Sequence, residues 1–414
     1  MRKRLSKFKY FKAELNMASP LQVEIYQNRR ALAAGQEGDV YMLAKIVPSK
    51  ELREFVSQNP RKVHMAFLLD VSASMCGEKI EAAKEAILRR FRNDLQDDDI
   101  LSLVVFSTSA VVAINSATKK YAATEVESVI RSIDCGGSTS LYQALTMAVN
   151  LLSKTPPGYT RVMIVATDGR PTDVADPNQV LELTKLAREK YNIITFIYGI
   201  GEDYDPALCE EMAKIGGGRM RHVKGAKEIE GLTQAIVSAI KNIVIEKPTL
   251  KIETEVGTKL EEAFLIYPTL RVLDPGAATW DVGAVSARDV IIASFRATTY
   301  SKDEGRRKIA TVSFGTATRP VEVEFVAAVS SDEQNPEVRL YHEVARVAVK
   351  ILEKTKQGLS ADEEFAALNR LLAEPVARSL MARDIYFAAL AQRVLGTQSL
   401  DGKTRIDRLS NIGG

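Results

Sequence analysis

Short runs of consecutive apolar residues, alternating with helix-like patterns, constrain the fold of residues 61–245 more than any other feature. VHMAFLL at 63–69, VMIVA at 162–166 and IITFIYGI at 193–200 contain few polar positions. Strands that are apolar on both faces are typical of parallel sheets with helices on both sides. This stretch therefore predicts an α/β domain with a doubly wound, mostly parallel sheet.

The flanking segments have a different pattern. Residues 246–330 contain short strand candidates separated by turn signals, which is typical of an antiparallel β-sandwich. They supply fewer strands than the roughly seven of an immunoglobulin-like sandwich. Two strand-like segments within residues 18–60 would supply the others, so we expect one β-sandwich interrupted by the α/β domain at 61–245.

The two ends of the chain differ from these domains. Apolar residues recur every three or four positions after residue 336, which predicts a helical region over 337–396. The tail at 397–414 lacks a clear period, so we expect it to be irregular. Residues 1–17 form a basic N-terminal arm, which we interpret as a solvated terminus.

Composition narrows the class of protein. Lys and Arg number 56 against 53 Asp and Glu, and a net charge of +3 is too slight to indicate a nucleic-acid partner. No run reaches the roughly 18–20 apolar residues of a membrane span, and the basic N-terminus lacks the apolar stretch of a secretory signal. We therefore expect a soluble, cytoplasmic protein.

Three cysteines, Cys76, Cys135 and Cys209, are too few for a disulfide-stapled scaffold. Cys76 and Cys135 both border the polar loops described next. In a reducing compartment we expect them to be two buried small residues that happen to lie near each other, and a redox-sensitive pair is the alternative.

The main chemical signal lies in three polar segments. Asp70, Ser72 and Ser74 follow the first apolar strand, Thr139 lies in the glycine-containing segment GGSTS, and Asp168 follows the strand at 162–166. Ligands of open α/β sheets bind beyond the carboxyl ends of the strands. We therefore expect these five residues to converge at one edge of the sheet.

Carboxylates and hydroxyls are hard oxygen ligands, which suit Mg²⁺, Mn²⁺ or Ca²⁺ better than zinc. Neutral hydroxyls leave a bound ion less fully neutralised than carboxylates would. Such an ion can accept a further anionic oxygen from an Asp or Glu of a partner. In the alternative structural interpretation the same residues cap loops and turns, which would leave two carboxylates close together without a cation.

These motifs resemble the metal-ion-dependent adhesion site of the von Willebrand factor A domain. That family carries a DxSxS motif, a threonine in a glycine-rich loop and an Asp in a TDG-like turn, and all five positions are filled here. Ser138 precedes the threonine, so Ser138 or Ser140 could replace Thr139 as a ligand. The flanking β segments more loosely resemble bacterial proteins and inter-alpha-trypsin inhibitor-like chains.

The resemblance implies a binding protein rather than an enzyme. Its divalent ion, Mg²⁺ or else Mn²⁺ or Ca²⁺, would hold an acidic side chain of another protein, as in an intracellular adaptor or assembly factor. Related proteins assist MoxR-like AAA ATPases, which makes such an ATPase one candidate partner. The alternative is a metal-dependent hydrolase of phosphate esters, with Glu78, Asp173 or Asp203 as the base.

Overall fold

The computed structural model describes residues 21–277, 279–329 and 334–412. The basic arm predicted at 1–17 lies outside the described residues. The chain divides into two compact units. One comprises residues 59–247 with 283–286, and the other comprises the chain up to residue 58 with 248–282 and 287–414.

The elements are numbered in chain order. The first segment holds β1 (Leu21–Gln27), β2 (Ala31–Ala33), β3 (Gly38–Pro48) and α1 (Lys50–Gln58). The central segment holds β4 (Val63–Asp70), α2 (Glu78–Asn93), β5 (Ile100–Phe106), β6 (Ala110–Thr118), α3 (Lys119–Arg131), α4 (Leu141–Ser153), β7 (Thr160–Thr167), α5 (Asn178–Tyr191), β8 (Ile193–Ile200), α6 (Pro206–Ile215), β9 (Gly217–Val223), α7 (Ala226–Lys241) and β10 (Ile243–Ile245).

The last segment begins with strands and ends with helices. Its strands are β11 (Thr249–Thr254), β12 (Thr258–Tyr267), β13 (Arg271–Val272), β14 (Thr279–Asp281), β15 (Val285–Ser286), β16 (Ile291–Thr299), β17 (Gly305–Phe314) and β18 (Ala317–Val326). Its helices are α8 (Pro336–Lys356), α9 (Asp362–Ala373), α10 (Pro375–Arg383), α11 (Ile385–Leu395) and α12 (Gly402–Ser410).

The unit built on residues 59–247 is a doubly wound α/β domain, which confirms the predicted fold class. Its sheet has the order β6-β5-β4-β7-β8-β9, and only the edge strand β6 is antiparallel to its neighbour. All eight residues of β4 are buried, as a strand covered on both faces requires.

Alternate residues of β4 enter two different cores. Met65, Phe67 and Leu69 pack with α2, α3 and α7, whereas Ala66 and Leu68 pack with α4, α5 and α6. This period of two along the strand is how one apolar run serves helices on both faces of the sheet. The sheet is thereby fixed from both sides, and its carboxyl edge becomes a rigid support for loops.

The second unit contains two five-stranded sheets, in the orders β1-β3-β16-β12-β13 and β14-β11-β17-β18-β2. Trp280 of one sheet stacks on Phe295 of the other, with 6.0 Å between the ring centroids. Helices α8–α12 cover the sheet that contains β3, where Leu43, Phe264 and Ile292 join their apolar core. The predicted antiparallel sheets and C-terminal helices are thus confirmed.

The expectation of an irregular tail at 397–414 is wrong for its middle part, which forms α12. The Asp401 side chain accepts a hydrogen bond from the backbone N–H of Thr404 and so caps the helix. Ile406 and Leu409, three positions apart, are buried in the helical core. Two apolar residues are too few to show a helical period in the sequence. The capping residue Asp401, followed by this apolar pair, was the signal from which the helix could have been predicted.

Candidate metal centre

Three loops meet at the carboxyl edge of the parallel sheet. Loop 1 (70–77) follows β4, loop 2 (135–140) precedes α4, and loop 3 (167–173) follows β7. Strands β4 and β7 are parallel neighbours, with Leu69 beside Ala166 in register, so loops 1 and 3 leave the sheet side by side. Loop 2 is held beside loop 1, where the backbone N–H of Gly136 donates to Val71 O at 2.7 Å.

Asp70 is fully buried at the base of loop 1, and both its carboxylate oxygens accept hydrogen bonds. Oδ1 accepts from the backbone N–H of Ser72 at 2.9 Å, and Oδ2 accepts from the Thr167 hydroxyl at 2.6 Å. The pKa of Asp70 is raised, mainly by burial and in addition by nearby Asp168. The hydrogen bonds act in the opposite direction and lower it, without cancelling the effect of burial. A cation at this position would offset the cost of burying the carboxylate.

Ser72 and Ser74 connect Asp70 to the second carboxylate, beginning with the backbone N–H of Ser72 that contacts Asp70. The hydroxyls of Ser72 and Ser74 lie 3.2 Å apart, and Ser74 Oγ donates to Asp168 Oδ1 at 2.7 Å. The DxSxS spacing works because a 3-10 turn at Ala73–Met75 brings the two serines to the same side of loop 1. The structure thus brings together four of the five predicted residues in one chain of contacts.

An ammonium group already lies on the second carboxylate. Lys79 Nζ donates to Asp168 Oδ2 at 2.7 Å and to the backbone oxygen of Ser74 at 3.2 Å. The Asp168 side chain is only 1% exposed, against 29% for Lys79. Nothing in the sequence motif signals this lysine, which sequence reasoning missed. It shows that Asp168 attracts a cation from the open side of the site.

Thr139 reaches the same place from loop 2. Thr139 is only 5% exposed. If Gly169 carried a Cβ atom, that atom would lie 2.7 Å from Thr139 Oγ1, so the threonine hydroxyl lies directly against loop 3. Loop 3 also holds the Thr139 backbone, because Thr172 N donates to Thr139 O at 2.9 Å. The glycine of the TDG turn is needed for this close approach.

The other hydroxyls of loop 2 are placed differently. The Ser140 hydroxyl donates to the backbone oxygen of Thr108 at 2.8 Å, which gives it a structural partner. Ser138 is exposed. Of the three candidates left open by the sequence, the Thr139 hydroxyl is the one that contacts loop 3 beside Asp168.

Loops 1 and 2 are covalently joined, which corrects the expectation that Cys76 and Cys135 are buried small residues that merely lie near each other. The two residues form a disulfide with 5.5 Å between their Cα atoms. Cys76 is exposed and Cys135 half-buried, so they are not the buried pair expected from sequence. The bond reinforces the backbone hydrogen bond from Ala73 N to Gly137 O, 3.2 Å. The third cysteine, Cys209, is buried and free.

The candidate bases for a hydrolase gain little from the structure. Both oxygens of Asp173 are used at the start of α4, where they accept from the backbone N–H groups of Tyr142 and Gln143. Glu78 is the exposed first residue of α2, where a carboxylate complements the helix dipole. Asp203 is exposed in the loop after β8.

His64 has a structural place, since it is only 1% exposed and lies far along β4 from the loops. Its Nδ1 lies 2.7 Å from Thr155 Oγ1, which already donates its proton to Leu152 O. Nδ1 is therefore the protonated nitrogen, and Nε2 accepts from Ser102 Oγ at 2.9 Å. Burial lowers the pKa of His64 to about 4, so the ring is neutral at pH 7.

The donor set fits a hard divalent ion. Two buried carboxylates and three hydroxyls lie on three fixed loops, and oxygen ligands of this kind suit Mg²⁺, Mn²⁺ and Ca²⁺. Within residues 21–277, 279–329 and 334–412, no group of three or more His, Cys, Asp or Glu side chains is arranged as a metal site. This agrees with a site that depends on hydroxyls, and it leaves no zinc-type cluster in the part described.

An open, doubly wound sheet with polar loops at its carboxyl edge defines a ligand-binding α/β domain. Residues 64–238 match the family model of the von Willebrand factor type A domain. The chain therefore contains a domain of the von Willebrand factor type A family, as the sequence motifs indicated.

Curated relatives match about half of the chain. The chain is 27% identical to inter-alpha-trypsin inhibitor heavy chain H4 of Bos taurus over 252 residues, which is 56% of this chain and 26% of the relative. It is 23% identical to the uncharacterized protein YfbK of Escherichia coli over 189 residues, 44% of this chain and 32% of that protein. The matches span about a quarter to a third of these relatives' lengths.

Solved structures match the whole fold. A von Willebrand factor type A protein from Catenulispora acidiphila gives a TM-score of 0.70 at 16% identity, covering 95% of this chain and 96% of that one. The ArnB paralog VWA2 from Sulfolobus acidocaldarius gives 0.62 at 16% identity, covering 94% and 97%. The additional sheets and C-terminal helices are thus found in other proteins that contain this domain.

Proposed function

We propose that this chain is a divalent-metal-dependent protein-binding protein. Domains of its family generally mediate protein–protein interaction, often through a metal ion. We take the ion to be Mg²⁺, with Mn²⁺ or Ca²⁺ as alternatives. It would be held by Asp70, Ser72, Ser74, Thr139 and Asp168. It would supply a Lewis-acidic position for a carboxylate of the partner.

One observation carries the proposal. Two buried carboxylates at the ends of neighbouring strands are linked through Ser72 and Ser74. The backbone N–H of Ser72 donates to Asp70, the two serine hydroxyls lie 3.2 Å apart, and the Ser74 hydroxyl donates to Asp168. Loop caps and turns do not require two carboxylates to converge, because like charges in a buried place disfavour one another. The Lys79 ammonium contacts Asp168, and a cation shared by both carboxylates is the simplest reason for their convergence.

The protein's own residues keep this arrangement ready for a ligand. The Thr167 hydroxyl orients Asp70, Gly169 lets Thr139 approach, and the disulfide holds loops 1 and 2 together. Preorganised ligands lose little conformational entropy when an ion or a partner binds. We expect binding without catalysis, in an adaptor or assembly role.

The partner is expected to be a protein that presents an Asp or Glu, and a MoxR-like AAA ATPase is one candidate. No helix among the described residues is long and apolar enough to cross a membrane. The cytoplasmic location stays a prediction from sequence. The disulfide between Cys76 and Cys135 counts against it, because disulfides persist best in oxidising compartments.

The first test is binding of Mg²⁺ by the purified protein, followed by affinity capture from a native lysate. Asp70→Asn preserves the shape of the side chain while removing its charge, and we expect it to weaken Mg²⁺ binding at least tenfold. Asp97→Ala is the matched control, because Asp97 is exposed and precedes β5 at the opposite edge of the sheet.

A partner retained by the wild type and by Asp97→Ala in Mg²⁺, but lost in EDTA and in Asp70→Asn, supports metal-mediated recognition. Equal capture in all four conditions contradicts it. Hydrolysis of phosphate esters that is lost in Asp70→Asn would instead favour the hydrolase.

A further inference from the structure

The position of Lys79 is unusual for a lysine. It is the second residue of α2, in the first turn of the helix, where the helix dipole disfavours a positive charge. Its neighbour Glu78 is the type of residue that this position favours. The cause of the lysine's placement is therefore found outside the helix, in the contact of Nζ with Asp168.

Three elements surround the ammonium group. Nζ donates to Asp168 Oδ2 and to Ser74 O, and a Cβ on Gly201, in the loop after β8, would lie only 3.2 Å from Nζ. Asp168 Oδ1 is meanwhile occupied by the Ser74 hydroxyl. Both oxygens of the buried carboxylate are thus used by donors of this chain, and one of those donors is a full positive charge.

We propose that Lys79 is a built-in cation that competes with the metal ion for Asp168 and thereby sets the metal affinity of the site. In the metal-free protein the ammonium neutralises the buried carboxylate. A divalent ion gains Asp168 only by displacing or sharing that contact, and it must do so beside a positive charge. The lysine therefore raises the metal concentration at which the site fills and stabilises the site when it is metal-free.

This inference rests on the proposed metal site and adds a residue outside the recognised motif. Lys79 acts by charge and position, and it is not itself a metal ligand, since an ammonium has no lone pair to offer. Its expected effect on metal affinity is opposite in sign to that of a residue that merely supports the site. Removal of a residue that merely held Asp168 in place would weaken metal binding, whereas removal of a competitor strengthens it.

The test is titration of Mn²⁺ and Mg²⁺ into wild-type protein and Lys79→Met by isothermal calorimetry, with hydrogen exchange of β4 and β7 peptides in EDTA and in saturating Mg²⁺. We expect Lys79→Met to bind both ions at least tenfold more tightly. The protection of its β4 and β7 peptides is expected to fall in EDTA, because Asp168 loses its counter-ion, and to stay near that of the wild type in Mg²⁺.

Two further variants separate charge from shape. Lys79→Arg keeps the positive charge and is expected to remain within a few-fold of wild-type affinity. Lys214→Met makes the same change in net charge at an ion pair with Glu211, 3.0 Å long, on α6 of the same unit, and is expected to leave metal affinity unchanged. A tightening in Lys214→Met equal to that in Lys79→Met would mean a general charge effect and would overturn the inference.

The two hypotheses fail in different ways. If neither the wild type nor Lys79→Met binds the ions, the proposed metal site is wrong. If the wild type binds Mg²⁺ and Lys79→Met binds it equally or more weakly, the site stands and the competing role of Lys79 is refuted.

Discussion

The disulfide between Cys76 and Cys135 gives a prediction whose size follows from the chain itself. The bond joins residues 59 positions apart, both in the α/β unit. In the chain-entropy description, closing a loop of about 60 residues removes about 14 cal/mol/K from the unfolded ensemble, or about 4 kcal/mol at 25 °C. Replacing both cysteines by serine should lower the free energy of unfolding of this unit by about that amount.

Hydrogen exchange followed by mass spectrometry is the suitable assay, because the chain has two compact units and a single unfolding midpoint would mix them. Peptides of the buried strands β4 and β7 report global opening of the α/β unit. The free energy of opening that these peptides report is expected to fall by the full loss in the free energy of unfolding. Peptides of β16 and β17 in the other unit serve as the internal reference.

The single variants make the test sharper. Cys76→Ser and Cys135→Ser each remove the entire bond, so each should cost nearly as much as the double variant, with strongly non-additive effects. Since Cys76 is exposed, its serine substitution should leave little packing defect. Wild-type protein treated with a reductant should show the same loss of protection.

A loss below about 1 kcal/mol in the double variant would refute the reasoning, as would additive single effects. The same samples also measure local order in the loops. Loops 1 and 2 keep two backbone hydrogen bonds without the disulfide, from Ala73 N and Gly136 N. We therefore expect their exchange to rise while the fold persists.

Two further predictions concern His64 and Gly169. The pKa of His64 is lowered to about 4 from 6.5. Its neutral form therefore stabilises the fold fully above pH 6.5, and that contribution is lost as the pH falls through 4. In denaturant titrations, His64→Gln should reduce the loss of stability between pH 7 and pH 4 by about 3 kcal/mol. Gly169→Ala should displace the Thr139 hydroxyl and weaken Mg²⁺ binding about tenfold in calorimetry, at an overpacking cost of about 1–3 kcal/mol. Gly225→Ala is its control, because a Cβ there meets nothing within 4 Å. An unchanged pH profile in His64→Gln, or unchanged affinity in Gly169→Ala, would contradict the respective argument.

Much of the architecture could be predicted from sequence because the parallel strands are apolar on both faces. The run at 63–69 predicted β4 for this reason, and the carboxyl-edge rule then placed Asp70 and Asp168 near each other. Periodicity failed in α12, where only a short stripe is buried. Local patterns are least informative for short elements whose burial depends on distant partners.

Contacts between loops were only partly accessible to sequence patterns, which offered the cysteine pair as an alternative and gave no signal for the lysine. The pairing of Cys76 with Cys135 and the contact of Lys79 with Asp168 join residues 59 and 89 positions apart. Their geometry depends on how loops 1, 2 and 3 leave the sheet. The motif indicated the candidate oxygen donors, and the structure was needed to show which other groups hold and balance them.

The charges at the site give a reason why its partner should be acidic. In the metal-free protein two carboxylates, Asp70 and Asp168, face one ammonium, that of Lys79, which leaves one net negative charge among these groups. A divalent ion bound there would change this to one net positive charge. Because such charges act strongly where water is partly excluded, the ion would invert the sign of the charge that a partner meets at the site. An acidic side chain would then be repelled by the site without the ion and attracted by the site with it. The proposed hydroxyl ligands and Lys79 would together make recognition depend on the ion.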